Sequence, residues 1–307
     1  MIDSVLLIAF GGPTRSEEIR PFLENVTRGR RILPERVDEV AHHYERIGGR
    51  SPLNELTFKQ ADGLRALLER EGIALPVFVG MRNWHPYLAE TLAEMVEKRC
   101  QRALGIILSS FQTEASWERY QENVAEARAT VGPAAPEVIY AEPWFDHPRF
   151  IEAVADRAQK ALEALPSARR LGTPLVFTAH SVPVAMAERS PYIQQLTQAS
   201  RLVAERLGHD RWMIAYQSRS GSPPEPWLEP DVAQVIRELA RDGTQDLAIV
   251  PIGFVVDHVE VLYDLDVEAR EIAERSGIRF HRARAVNDHP AFIAMLTDLV
   301  PRGLAGQ

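Results

Sequence analysis

Eight short apolar runs, at residues 5–10, 77–81, 105–108, 138–140, 175–178, 212–216, 247–252 and 278–280, alternate along the chain with amphipathic stretches. Most of these runs are continuous rather than alternating, as strands covered on both faces must be. Helical period is clearest at 58–70, 87–99, 148–165 and 230–241. Strand followed by helix, repeated, predicts a doubly wound α/β protein with parallel sheets. At 307 residues and 45% hydrophobic, the chain can bury more than one core.

An internal echo divides this pattern. DHPRFI at 146–151 recurs as DHPAFI at 288–293, each copy following the fourth run of a set of four. Each copy opens a helix, with Asp146 and Asp288 as expected N-caps and proline in the first turn. Two similar Rossmann-like lobes follow, each built on a four-stranded parallel sheet. The first lobe takes residues 1–145 and is rejoined by a C-terminal helix at 288–307; the second takes 146–287. A ligand is expected in the cleft where the strand ends of both lobes converge.

The formal net charge of −8 argues against a general nucleic-acid binder and favours attraction of cations. No apolar run approaches the roughly 18–20 residues that span a bilayer. The N-terminal run, preceded by Asp3, reads as a strand and not as a signal peptide. Cys100 is the single cysteine, which excludes a disulfide framework and an all-cysteine metal or iron–sulfur site within one chain. A cytoplasmic monomer with no membrane insertion and no tightly bound cofactor is expected. The dinucleotide fingerprint, the Walker motif and the G-x-S-x-G elbow are absent, which speaks against a nucleotide cofactor and against serine-hydrolase chemistry.

Chemistry concentrates at predicted strand ends. The stretch GFVVDHVEVLYDLDVE at 253–268 leaves the seventh run and carries Asp257, His258, Glu260, Asp264, Asp266 and Glu268. If it becomes helical at Glu260, then Glu260, Asp264 and Glu268 form one acidic row. Like charges at that spacing repel, so the row is either a solvated face or a place for a cation. The fifth run ends in TAHSVP at 178–183, placing His180 at a strand terminus. Its imidazole can accept a proton near neutral pH or ligate a borderline metal. After the first run, Gly11-Gly12-Pro13 makes a tight turn. Arg28, Arg30 and Arg31 form a basic loop that is either simply exposed or suited to the carboxylates or phosphates of a small acidic ligand. Ser116, Trp117 and Tyr120 after the third run, and Trp227 on a proline-rich loop, either pack or wall a pocket. One imidazole, one acidic row and one arginine cluster suit a divalent cation meeting a flat, carboxylate-bearing ligand.

These residues fall in motifs that together resemble the ferrochelatases, enzymes that insert ferrous iron into a porphyrin. The matching segments are AFGGP at 9–13, HYERIGGRSPLNELT at 43–57, TAHSVP at 178–183, YQSRSGSPPEPWLEPDV at 216–232 and GFVVDHVEVLYDLDVE. The resemblance implies a two-lobe chelatase fold with the macrocycle in the interlobe cleft. It implies His180 and Glu260 as the catalytic pair at the metal-insertion centre, with Asp264 and Glu268 continuing the acidic row as further metal contacts. The polar character of residues 28–36 and the lack of a cysteine cluster look like the short soluble members, which act mainly on coproporphyrin III. Its four propionates would be met by Arg28, Arg30, Arg31, Ser51, Arg82, Ser116 and Tyr120, and the macrocycle by Trp227. Phe10 stands where that group often has tyrosine, and Thr27 and His43 stand where it can carry arginine. Coproporphyrin III is favoured as substrate, with protoporphyrin IX as the alternative. A cobalt or nickel chelatase and a non-catalytic haem or iron carrier are the rival readings.

Overall fold

All eight apolar runs form strands in the computed structural model, which describes residues 1–29, 34–220 and 225–301. They are β1 Ser4–Ala9, β2 Val77–Met81, β3 Arg102–Ile107, β4 Glu137–Tyr140, β5 Leu175–His180, β6 Trp212–Gln217, β7 Asp246–Val250 and β8 Arg279–Arg282. Between the first four strands lie α1 Ile19–Thr27, α2 Pro34–Arg46, α3 Leu53–Arg70, α4 Leu88–Glu97 and α5 Arg119–Val131. After β4 come α6 Pro148–Glu163, α7 Ser167–Arg170, α8 Val184–Glu188, α9 Tyr192–Leu207, α10 Val232–Arg241, α11 Val259–Leu262, α12 Arg270–Arg275 and α13 Pro290–Asp298.

Among the described residues the strands make two four-stranded sheets, ordered β2-β1-β3-β4 and β6-β5-β7-β8. Every pairing is parallel, so the chain repeats one winding twice. In each sheet the chain order reverses beside the first strand, between β1 and β3 and between β5 and β7. Ligands of open α/β sheets bind at that switch point, off the carboxyl ends of the strands.

The chain divides into two units. One comprises Met1–Ser109, Ala115–Glu142 and the chain from Asp288, and the other Ser110–Glu114 and Pro143–Asn287. The helix that follows each DHP motif therefore falls in different units: α6 in the second, and α13 in the first, where it packs on α3. The detour of Ser110–Glu114 into the second unit has a local cause. Gln112 and Gln195 exchange two hydrogen bonds, at 2.8 and 2.6 Å, and Phe111 meets Tyr192 edge-on at 6.1 Å.

Both DHP helices begin one residue later than the motif suggested. The N-cap is the histidine, whose Nδ1 accepts the backbone N–H two residues on: Arg149 for His147 and Ala291 for His289, each at 3.2 Å. Pro148 and Pro290 occupy the first helical position, where a missing N–H costs nothing. Asp146 and Asp288 are left outside the helix.

Each sheet buries its strands completely where the helices cover it. β1 and β2 are buried at every position. In the first unit Leu6, Ile8 and Ile107 pack against Leu88, Leu92 and Met95 of α4 and Val124 of α5. In the second unit Val176, Leu247 and Ile249 pack against Val235, Ile236 and Leu239 of α10. Each such side chain contributes about 1.5–3 kcal/mol on burial, which fixes the strand ends that the site uses. No helix among the described residues is long and apolar enough to cross a membrane.

Candidate active site

β5 ends on His180, and β7 runs through Pro251 and Ile252 into Gly253 beside it. Gly253 N–H donates to the Thr178 carbonyl at 3.0 Å, and a Cβ on it would lie 2.5 Å from Ala179 Cβ. Only glycine lets the two strand exits approach this closely.

The close approach sets His180 against Glu260. His180 Nδ1–H donates to the Ser181 carbonyl, and Nε2 faces Glu260 Oε1 at 3.5 Å. A carbonyl cannot donate, so Nδ1 carries a hydrogen and Nε2 of the neutral ring carries the lone pair. Tyr192 OH donates to the His180 carbonyl at 2.8 Å and steadies the turn. The second carboxylate oxygen, Glu260 Oε2, lies 3.4 Å from His258 Nε2. His258 rests on Phe254 with ring centroids 4.9 Å apart, and its buried Nδ1 has no hydrogen-bond partner among the described residues.

Burial alone would raise the Glu260 pKa. The two imidazoles outweigh it and hold the carboxyl well below the usual carboxylate range. Burial conversely disfavours the charged His180 ring, but Glu260, the Ser181 carbonyl and Asp264 together raise its pKa. Both shifts favour positive charge beside a fixed carboxylate. The 3.5 Å gap is also long for a hydrogen bond.

The acidic row is present, but it is not one regular helix. Short α11 gives way to a π turn over Asp264–Ala269 before α12. Val267 and Glu268 N–H both reach the Tyr263 carbonyl, at 3.1 and 3.0 Å. In an unbroken α-helix, residue i+8 would sit about 80° around from residue i. The extra residue of the π turn puts Glu268 where i+7 would be, about 20° from Glu260. The apolar side keeps the same four-residue spacing, with Val261, Leu265, Ala269 and Ala273 all in the core. From Glu260 the row runs through half-buried Asp264 to exposed Glu268. Burial pushes the Asp264 pKa up to about 7, against the pull of its hydrogen bond from Ser218 Oγ; the Glu260 and Glu268 charges add to the rise. Asp266 points elsewhere, onto Arg282.

Two residues at the end of β6 hold this segment. Gln217 Nε2 donates to the Glu260 backbone carbonyl at 2.6 Å, while Ser181 N–H donates to the Gln217 carbonyl at 2.7 Å. Ser218 adopts a left-handed conformation (φ 63°) and donates to Asp264. Trp227 is half-buried and is tied to β5's exit: Leu228 N–H donates to Val182 O and Val184 N–H to Pro226 O, both at 3.0 Å.

In the first unit the structure brings Phe10, Arg82, Tyr120 and Ser116 together. The Arg82 guanidinium lies over both rings, 4.3 Å from the centroid of Tyr120 and 5.7 Å from that of Phe10. It donates to Asn123 Oδ1 at 2.7 Å and to the Ala115 carbonyl, next to Ser116, at 3.4 Å. Gly11 turns this loop with φ 85°, its missing Cβ leaving room for the Trp84 backbone. Ser51 is buried against Gly12, its hydroxyl accepting from Leu53 N–H. Arg28 is exposed at the end of α1, bonded to Asn25 Oδ1 at 2.6 Å, and half-buried His43 lies on α2, away from that group in sequence. Arg30 and Arg31 lie outside the described residues.

Gln217 and Ser218 lie in the 216–232 motif at a strand end but carried no role in the sequence, and Arg282 carried no signal at all. The π turn did have a signal: an apolar row and an acidic row both spaced by four are too long a period for 3.6 residues per turn.

The ferrochelatase family model matches residues 3–304. The chain is 46% identical over 303 residues to a coproporphyrin III ferrochelatase of Mycobacterium avium, covering 97% of this chain and 87% of that protein. It is 44% identical over 303 residues to a ferrochelatase of Rhodopirellula baltica, covering 98% and 86%. Among solved structures, SirB from Bacillus subtilis with Fe3+ superposes with a TM-score of 0.60 at 12% identity, covering 98% and 94%. A second SirB structure, a sirohydrochlorin chelatase with cobalt, superposes with a TM-score of 0.57 at 10% identity, covering 99% of each chain. At such identities those two show the fold alone. A family match over nearly the whole chain, with a histidine and a glutamate facing each other at the switch point of its second sheet, places this chain in the ferrochelatase family.

Proposed function

We propose that this enzyme inserts Fe2+ into coproporphyrin III, with His180 and Glu260 as the insertion centre. The observation that carries the reading is the facing pair itself, His180 Nε2 and Glu260 Oε1 at 3.5 Å, with His258 on the glutamate's other oxygen. Iron insertion requires two pyrrole protons to leave as the ion loses water and enters the ring. Glu260, kept ionised by its two histidines, attracts the incoming cation. Once its own proton has passed to the neighbouring carboxylates, His180 offers its Nε2 lone pair to a pyrrole proton or to the iron, and its Nδ1–H bond to Ser181 keeps the ring aimed. Asp264, whose pKa lies near 7, gives and takes protons at neutral pH and links Glu260 to exposed Glu268.

Coproporphyrin III is supported by the relatives' substrate and by Arg82, a half-buried guanidinium suited to a propionate. Arg28, Arg30, Arg31, His43, Ser51, Ser116 and Tyr120 are the further propionate candidates, and Phe10 and Trp227 are the candidates for contact with the macrocycle. The test is anaerobic insertion of Fe2+ into coproporphyrin III and protoporphyrin IX, followed by loss of the free-base absorption. Faster turnover of coproporphyrin III is expected; preference for protoporphyrin IX overturns the substrate, and full activity of His180→Ala overturns the centre.

A further inference from the structure

We propose Arg282 as the positioning residue that aims the acidic row, a role that rests on reading His180 and Glu260 as the insertion centre. Arg282 closes β8 and is nearly buried, with 10% of its side chain exposed. All three edges of its guanidinium are used. Nε and Nη2 donate side by side to the two Asp266 oxygens at 2.7 and 2.6 Å. Nη1 donates to Asp257 Oδ1 at 2.7 Å and to the Ala283 carbonyl at 3.2 Å.

The two carboxylates flank the segment that matters. Asp257 lies three residues before Glu260 and is locked in place: its N–H donates to Asn287 Oδ1, and its side chain accepts from Asn287 Nδ2, both at 2.8 Å. Asp266 lies within the π turn, between Asp264 and Glu268. Residues two apart on a helix point to nearly opposite sides. Fixing Asp266 onto β8 therefore turns Asp264 and Glu268 the other way, towards the Glu260 side. One rigid, planar group thus sets both the entry to the row and its rotation. Arginine is required because the grip on Asp266 is bidentate; lysine keeps the charge but can satisfy only one direction at a time.

The test compares Arg282→Lys, Asp266→Asn and Glu260→Gln with the wild type in steady-state Fe2+ insertion, with folding checked by circular dichroism. Asp266→Asn removes the charge and one of the two acceptors that Arg282 grips on the π turn and leaves the Arg282–Asp257 pair intact, so it decides the matter if Arg282→Lys does not fold. The expected result is a KM for Fe2+ raised about tenfold, with the porphyrin KM within about twofold of wild type. Folded variants with an unchanged Fe2+ KM, or with both KM values raised together, overturn the positioning role. Wild-type activity in Glu260→Gln would instead overturn the insertion centre on which the role rests.

Discussion

The side-chain amide of Gln217 donates to the backbone carbonyl of Glu260 at 2.6 Å. Gln217 is also the β6 residue that pairs in register with His180. One side chain on the edge strand β6 thus ties together the backbones that carry the two proposed reacting groups. Gln217→Leu keeps the volume but removes this donor from the Glu260 carbonyl, a loss of about 0.5–1.5 kcal/mol. A drop in kcat of at least about tenfold is expected, with porphyrin KM unchanged. Steady-state insertion kinetics with both substrates varied checks it.

A graded loss is expected down the acidic row. Glu260 lies between two imidazoles and Glu268 is exposed. Glu260→Gln should abolish insertion, whereas Glu268→Gln should mainly alter the dependence on metal concentration. Fe2+ titrations at saturating porphyrin separate the two. Equal losses in both variants would argue against a relay.

Gly253→Ala tests the close approach of the strand exits. A Cβ there would sit 2.5 Å from Ala179 Cβ and 2.6 Å from its Cα, both parts of β5 with no room to yield. Overpacking of this kind costs about 1–3 kcal/mol or more. The variant should melt several degrees lower and lose most of its insertion activity, because any shift of β5 from β7 moves His180 from Glu260. Thermal melts together with insertion rates decide it; an unshifted melt with full activity would count against the account.

Far from the site, at the other end of β7, Asp246 accepts two hydrogen bonds from Arg279 at 2.7 Å and contacts Arg169 and His281. The bonds from Arg279 hold its carboxyl below the usual range, although burial opposes them. A depressed folded pKa contributes stability that is present above the unfolded value, near 3.9, and is lost as pH falls through the folded value. Asp246→Asn should therefore melt lower than wild type at pH 7, with the difference shrinking below about pH 4. Its insertion kinetics at 25 °C should match wild type. Melts from pH 7 to pH 3 read the sign directly.

Porphyrin recognition has its own prediction. Arg82 is the candidate whose guanidinium is held by Asn123 and lies over Phe10 and Tyr120. Arg82→Met removes one charge-assisted donor, a loss of about 1.5–3 kcal/mol per bond. The KM for coproporphyrin III should rise about tenfold or more, and that for protoporphyrin IX, with two fewer propionates, should rise less. An equal rise for both substrates would point to a contact with the ring.

Continuous apolar runs between amphipathic helices determined eight parallel strands and their repeated winding, because a strand buried on both faces has no polar side to show. Strand-end position also picked out His180 and the 253–268 stretch, and the family resemblance then singled out Glu260 within that stretch. What the chain order could not decide was what meets at those ends. His147 and His289 cap their helices because proline at the next position moves the first free N–H one residue on. The π turn that brings Glu268 under Glu260 is gripped by Arg282, sixteen residues beyond Asp266, and packs on a core that holds Val261, Leu265 and Ala269 on one face. Gln217 and Ser218 matter only because β6 lies beside β5, a neighbour relation made by hydrogen bonds between strands. Local pattern determined the elements and their exits. Only the pairing of β6 and β7 with β5, and of β8 with β7, decided which side chains face each other there, because those distances are set by contacts between residues remote in the chain.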